Sequence, residues 1–80
     1  MRVTVLIRPK QGILDPQGEA VRDSLEKLGF SVTDARVGRL VDLEVDAADT
    51  ASACAETERM CQELLANALI ESFEIEVDEA

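Results

Sequence analysis

The residue types that carry covalent chemistry are sparse in this chain. It has no histidine, so no imidazole is at hand to deprotonate a Ser or Cys nucleophile or to bind a metal ion. Its two thiols, Cys54 and Cys61, lie seven positions apart, which is not the C-x-x-C spacing of a metal or redox pair. On one helix they would share a face about 10.5 Å apart along the axis, whereas a disulfide needs Cα atoms within about 7 Å. They read as buried apolar side chains in a reducing compartment. Ser24, Ser31, Ser52 and Ser72 sit in no nucleophile elbow, and Gly12 and Gly18 form neither a P-loop nor a dinucleotide fingerprint. The 17 carboxylates include pairs that could in principle do acid–base work. In a chain this acidic they are read instead as solvated surface. The run Arg8-Pro9-Lys10-Gln11-Gly12 offers two cations beside a helix start, where a phosphate could bind. Asp15, at the cap of that helix, competes for the same amides, so a structural or partner-contact role is favoured. The expectation is a chain with no catalytic residue, no metal ligand and no bound cofactor.

The elements that carry these residues follow from periodicity. Val3, Val5 and Ile7 alternate with Thr4, Leu6 and Arg8, the pattern of a strand, which Pro9 ends by removing a donor. Residues 10–14 form a loop. Asp15-Pro16 is a helix start, and Val21, Ser24, Leu25 and Leu28 recur at helical spacing up to Gly29, a left-handed stop. This predicts a helix over 16–28. A second, weaker strand is predicted over 31–37, with Asp34 and Arg36 in its interior as on a solvent-facing edge. Gly38-Arg39 is too short for a crossover, so it predicts a hairpin into a third strand that points Val41, Leu43 and Val45 inward. A second helix spans 47–67, its start open between Asp46, Asp49, Thr50 and Ser52. Its predicted apolar stripe is Cys54, Cys61, Leu64, Leu65 and Ala68. A last strand alternates Phe73, Ile75 and Val77 with Ser72, Glu74 and Glu76.

The order β-α-β-β-α-β predicts an α+β, ferredoxin-like antiparallel four-stranded sheet with both helices on one face. The other face then carries Thr4, Leu6, Arg8, Leu40, Asp42, Glu44, Glu74 and Glu76. It is either a solvated surface or a polar interface between copies.

Composition limits the partners. A chain of 80 residues is one domain, 1–80, with a thin core. With no Tyr or Trp and a net charge of −9, nucleic acid and anionic membranes are disfavoured. No apolar run spans a bilayer, and the alternating opening is unlike an export signal, so a cytoplasmic location is expected.

Three stretches carry a family likeness. The first is Lys10-Gln11-Gly12-Ile13-Leu14-Asp15-Pro16-Gln17-Gly18-Glu19-Ala20-Val21. The second is Leu25-Glu26-Lys27-Leu28-Gly29-Phe30 leading to Val37-Gly38-Arg39. The third is Cys61-Gln62-Glu63-Leu64-Leu65-Ala66-Asn67, then Ile70-Glu71-Ser72-Phe73-Glu74-Ile75-Glu76-Val77. In order and spacing they resemble the PurS family, the small subunit of phosphoribosylformylglycinamidine (FGAM) synthase. Ala68 stands where the family often has proline, and the alanine-rich stretch 47–55 matches nothing distinctive.

The resemblance implies a non-catalytic subunit of an ATP-dependent carbon–nitrogen ligase of de novo purine biosynthesis. Such a subunit is a homodimer that brings the synthetase subunit PurL and the glutaminase subunit PurQ together. Ammonia from glutamine then reaches formylglycinamide ribonucleotide, while ATP and Mg are used by the synthetase subunit. Lys10, Gln11, Gly12, Arg36 and Arg39 are the candidate subunit contacts, being cationic or glycine-bearing loop positions on an acidic domain. The alternatives are an ACT-like regulatory domain binding an amino acid or nucleotide, and a small acylphosphatase-type hydrolase.

Overall fold

The computed structural model describes residues 1–78. Strand β1 (Arg2–Pro9) is the middle strand of an antiparallel sheet in the order β2-β1-β3, with β2 (Arg39–Glu44) and β3 (Glu71–Asp78) on its two sides. Its alternation fixes the register: Val3 stands opposite Leu43 and Val77, Val5 opposite Val41 and Ile75, and Ile7 opposite Arg39 and Phe73. A one-residue slip would turn the whole apolar set to solvent. Val3, Val5 and Ile7 are fully buried, as their spacing predicts.

The four-stranded ferredoxin-like sheet is corrected to three strands, and the missing one is the edge strand predicted over 31–37. That segment belongs to no strand. Two contacts account for its path. The Val37 amide donates to the Asp15 carboxylate at 2.9 Å, and the Arg36 guanidinium donates to the carbonyls of Pro9 and Lys10. These draw the segment toward the 10–15 loop and away from the free edge of β2, so the predicted hairpin does not form. Gly38 is not a hairpin tip: a Cβ there would run into the Ile7 carbonyl oxygen.

The expectation that both helices cover one face holds for only one of them. Helix α2 (Thr50–Met60) packs against β3 and adds Ala53 and Thr57 to the core. The Thr57 hydroxyl donates to the Ala53 carbonyl one turn back at 2.7 Å, so burying it leaves no polar group unpaired. A π-helical turn (Cys61–Leu65) follows, closed by the Ala66 amide donating to the Cys61 carbonyl at 3.0 Å. The buried stripe is therefore Ala53, Thr57 and Cys61, which keeps Cys61 of the predicted set, and the predicted Leu65 packs half-buried against the core. Leu64 points outward and Ala68 is exposed.

Helix α1 (Pro16–Lys27) buries only Gly18 and packs against no strand as α2 does. Leu25 is half-buried, but Val21 is 43% exposed, Leu28 at the C-cap is 73% exposed, and Phe30 beyond it is also exposed. The chain is long and thin in consequence. Its extents are 49 × 29 × 14 Å and its radius of gyration is 15.7 Å, against about 12 Å for a compact domain of this length.

Candidate functional site

The end of the sheet where β1 finishes and β2 begins collects four of the eight cations in the chain: Arg8, Lys10, Arg36 and Arg39. The Asp15 carboxylate organises the loops there. One oxygen accepts from the Gly18 amide at 3.0 Å and caps α1, while the other accepts from Val37. These amides, Val37 first, together with the nearby Arg36 charge, hold the Asp15 carboxyl below the usual carboxylate range. Gly18 is required at this junction because a Cβ would strike the Ala35 carbonyl and the Asp15 carboxylate. The chain from Lys10 to Gly38 thus leaves the sheet and returns to it as an arm whose two ends are tied together. The helix-start amides answer to Asp15, which leaves no amide cradle for the phosphate weighed from the sequence.

The predicted contact residues divide into two sets. Lys10, Gln11, Gly12 and Arg36 come together at the root of the arm. Lys10 and Gln11 are exposed, and Gly12 has a φ of +83° that favours glycine. The Lys10 backbone is tied down, its amide donating to the Ile70 carbonyl at 2.8 Å and its carbonyl accepting from Arg36 at 2.7 Å. Arg39 belongs to a different knot. Its guanidinium donates to both oxygens of Glu71 at 2.9 Å and to the Leu65 carbonyl at 3.1 Å. Glu71 also accepts from the Asn67 amide at 2.8 Å. That amide first, and Arg39 second, hold the Glu71 carboxyl below its usual range. Arg39 fastens the turn after α2 to the start of β2, a structural task that its charge and loop position did not reveal.

The sequence reading missed the second bond of Asp15, the close approaches at Gly18 and Gly38, and the Glu71 knot. Asp15-Pro16 signals a cap, but its tie to Val37 joins residues 22 positions apart, and no local pattern carries that. Cys61 is buried, as read, and burial, helped by the Glu58 charge, pushes its thiol up. Cys54 is half-buried, and both thiols are free.

The sheet face away from α2 is the one predicted to mix charge with leucine. Arg8 and Glu74 pair across it at 3.2 Å, and Thr4 donates to Asp42 at 2.9 Å. Leu6 and Leu40 stand opposite each other in register. Among the described residues, no group of His, Cys, Asp or Glu is placed to hold a metal ion, and no helix is long and apolar enough to cross a membrane.

Residues 2–79 match the family model described as PurS: Phosphoribosylformylglycinamidine (FGAM) synthase. The phosphoribosylformylglycinamidine synthase subunit PurS of Synechocystis is 39% identical over 77 residues, covering 95% of this chain and 75% of that one. The crystal structure of PurS from Methanocaldococcus jannaschii, a subunit of formylglycinamide ribonucleotide amidotransferase in the purine biosynthetic pathway, superposes with a TM-score of 0.88 at 32% identity. That match covers 99% of this chain and 96% of the other. A chain of the PurLQS structure from Thermotoga maritima gives a TM-score of 0.86 at 29% identity, covering 94% of this chain and 93% of its own. On the family match and on these relatives, the chain belongs to the PurS family of FGAM synthase.

Proposed function

We propose that this chain is the non-catalytic coupling subunit of FGAM synthase in purine biosynthesis, acting as a homodimer. It joins the glutaminase and synthetase subunits so that ammonia released from glutamine reaches formylglycinamide ribonucleotide. ATP and Mg belong to the synthetase subunit, and this chain binds neither. The observation that carries the reading is its near full-length likeness to a chain of the PurLQS structure.

The homodimer draws support from α1. Val21, Leu28 and Phe30 are apolar and uncovered, and Val41 and Leu43 on β2 are only half-buried beneath a face that α1 leaves open. Two apolar surfaces that one chain keeps apart can cover each other between two copies.

The test is reconstitution. The purified synthetase and glutaminase subunits are given formylglycinamide ribonucleotide and ATP, with glutamine or with ammonium, in the presence and absence of this chain. Turnover that needs the chain with glutamine but not with ammonium is the expected result. Glutamine-dependent turnover that is the same without it overturns the coupling role and brings forward an amino-acid-binding regulatory domain.

A further inference from the structure

Residues 10–38 form an arm that carries α1 away from the sheet, and the bonds that fasten it gather at its root. Where the arm leaves, the Lys10 amide donates to the Ile70 carbonyl at 2.8 Å. Where it returns, Arg36 donates to the carbonyls of Pro9 and Lys10, the latter at 2.7 Å. Asp15 ties the two ends together, one carboxylate oxygen on the Gly18 amide at 3.0 Å and the other on the Val37 amide at 2.9 Å. Main chain lies close against main chain on both sides of this knot. A Cβ at Gly18 would strike the Ala35 carbonyl oxygen, and one at Gly38 the Ile7 carbonyl oxygen. Past the knot the arm bonds within itself: Arg22 meets Asp23 at 3.1 Å and Glu26 at 3.5 Å, and the Phe30 amide donates to the Leu25 carbonyl at 3.0 Å.

A lever held at one end amplifies what happens there. Helix α1 has 12 residues. Its length is about 18 Å, so a tilt of about 10° at the first turn moves the last turn by about 3 Å. Apolar contact does not survive such a shift, since a gap of about 1 Å already forfeits about half of the attraction. The exposed apolar residues Leu28 and Phe30 lie at the far end. Their place in space is therefore set by groups a helix length away.

We propose that Asp15 and Arg36 form a clasp that fixes the direction of α1, and that as positioning residues they set the strength of the homodimer through the helix rather than by contact with the second copy. The clasp rests on the homodimer reading above for its function. In a dimer both arms must point correctly, so the apparent dissociation constant rises as the inverse square of the fraction of arms correctly held. If loss of the clasp leaves about one arm in three in the right direction, the dimer weakens about tenfold.

The experiment turns on the number of acceptor oxygens. Asparagine caps a helix about as well as aspartate but has a single carbonyl oxygen, so Asp15→Asn cannot serve Gly18 and Val37 together. Asp49→Asn makes the same charge change at the cap of α2, where the Ser52 amide donates to one oxygen at 2.7 Å. Each full-length variant is measured by sedimentation equilibrium. Spin-label distances are read between Lys27→Cys and Glu76→Cys, both exposed positions, in a Cys54→Ser background. The labelled chain is diluted into unlabelled protein so that only distances within one chain are seen. Melting curves check folding, and Arg36→Gln loosens the same clasp from its other side if Asp15→Asn does not fold. Asp15→Asn is expected to raise the dimer dissociation constant about tenfold and to broaden the distance distribution, and Asp49→Asn to change neither. A folded Asp15→Asn variant that dimerises like the parent overturns the clasp and leaves the homodimer standing. Weaker dimerisation with an unchanged distance distribution also overturns it, because Asp15 then acts through stability or contact and not through direction. A parent that sediments as a monomer ends the homodimer reading and the clasp's role with it.

Discussion

Helices α1 and α2 are alike in length and in their aspartate caps and opposite in what they pack against. They run 12 and 11 residues, and each is capped by an aspartate that accepts an amide three residues on, Asp15 from Gly18 and Asp49 from Ser52. The helix with small residues, Ala53 and Thr57, lies on the sheet of its own chain. The helix with the larger apolar residues, Val21 and Leu25, stands clear of it. Capping and propensity decide that a helix forms. The surface that a helix meets is decided by how its ends are tied, and Asp15 and Arg36 tie α1 to the root of the arm. An amphipathic helix outside its own core leaves an apolar stripe uncovered by its own chain, the surface on which the proposed homodimer rests.

The sharpest way to break this comparison is to put the same charge on both helices. Ala53→Asp buries a carboxylate where the native side chain is fully enclosed and is expected to cost about 3 kcal/mol or more, read by urea denaturation. Val21→Asp is expected to leave the circular dichroism unchanged and to lower the sedimentation coefficient toward that of a monomer. If Val21→Asp unfolds the protein as Ala53→Asp does, the two helices are equally part of one core and the comparison fails.

The two caps give a smaller contrast. Asp15→Ala removes a cap and the bond to Val37 and is expected to lower the melting temperature more than Asp49→Ala, which loses a cap alone. Equal losses would mean that the Val37 tie contributes nothing to stability.

Acid titration sharpens the same point. Asp15, Asp49 and Glu71 are all held below their ordinary values by the amides and, for Asp15 and Glu71, the arginine they face. A carboxylate lowered by folding stabilises fully above its unfolded value and loses that contribution as pH falls through its folded one. The melting temperature is therefore expected to be flat from neutral pH to about pH 5 and to fall below about pH 4. Asp15→Asn should soften that fall. A melting temperature that rises on acidification would contradict these assignments.

The gentlest probe is thiol labelling. Cys54 is expected to react with a disulfide reagent in the native protein, and Cys61 only when the protein opens, because the raised, buried thiol is both shielded and protonated. Equal native rates would show that α2 is not seated on the sheet.

The sequence made β1 legible because alternation is a local signal that tertiary packing then obeyed, and Val3, Val5 and Ile7 are the centre of the core. The same rule applied to 31–37 failed. Alternation says which face a strand would bury, but a strand also needs an edge to pair with, and Asp15 and Arg36 direct this one elsewhere. The stripe of α2 is legible in Cys61 and Leu65 but not in Thr57, because Thr57 looks polar. Its hydroxyl is satisfied within its own turn, and the side chain packs as an apolar one. At the candidate site, Lys10, Gln11, Gly12 and Arg36 were found by charge and turn chemistry and do meet in space. Arg39 carried the same signal but stands in a separate knot with Glu71, a tie between residues 32 positions apart that no local pattern announces.

The position of β1 has a consequence for biogenesis. Both neighbours of the central strand are later in the chain, and Arg2 pairs with Asp78, so the strand made first waits for the strand made last. On the ribosome, residues 3–7 form an apolar segment with both edges unclaimed until β2 is made and one until β3 is made, the condition under which nascent chains aggregate. Arg2 and Arg8 bracket that segment. Charges flanking an exposed apolar stretch act as gatekeepers against premature pairing with other chains, and these two arginines stand where such charges act.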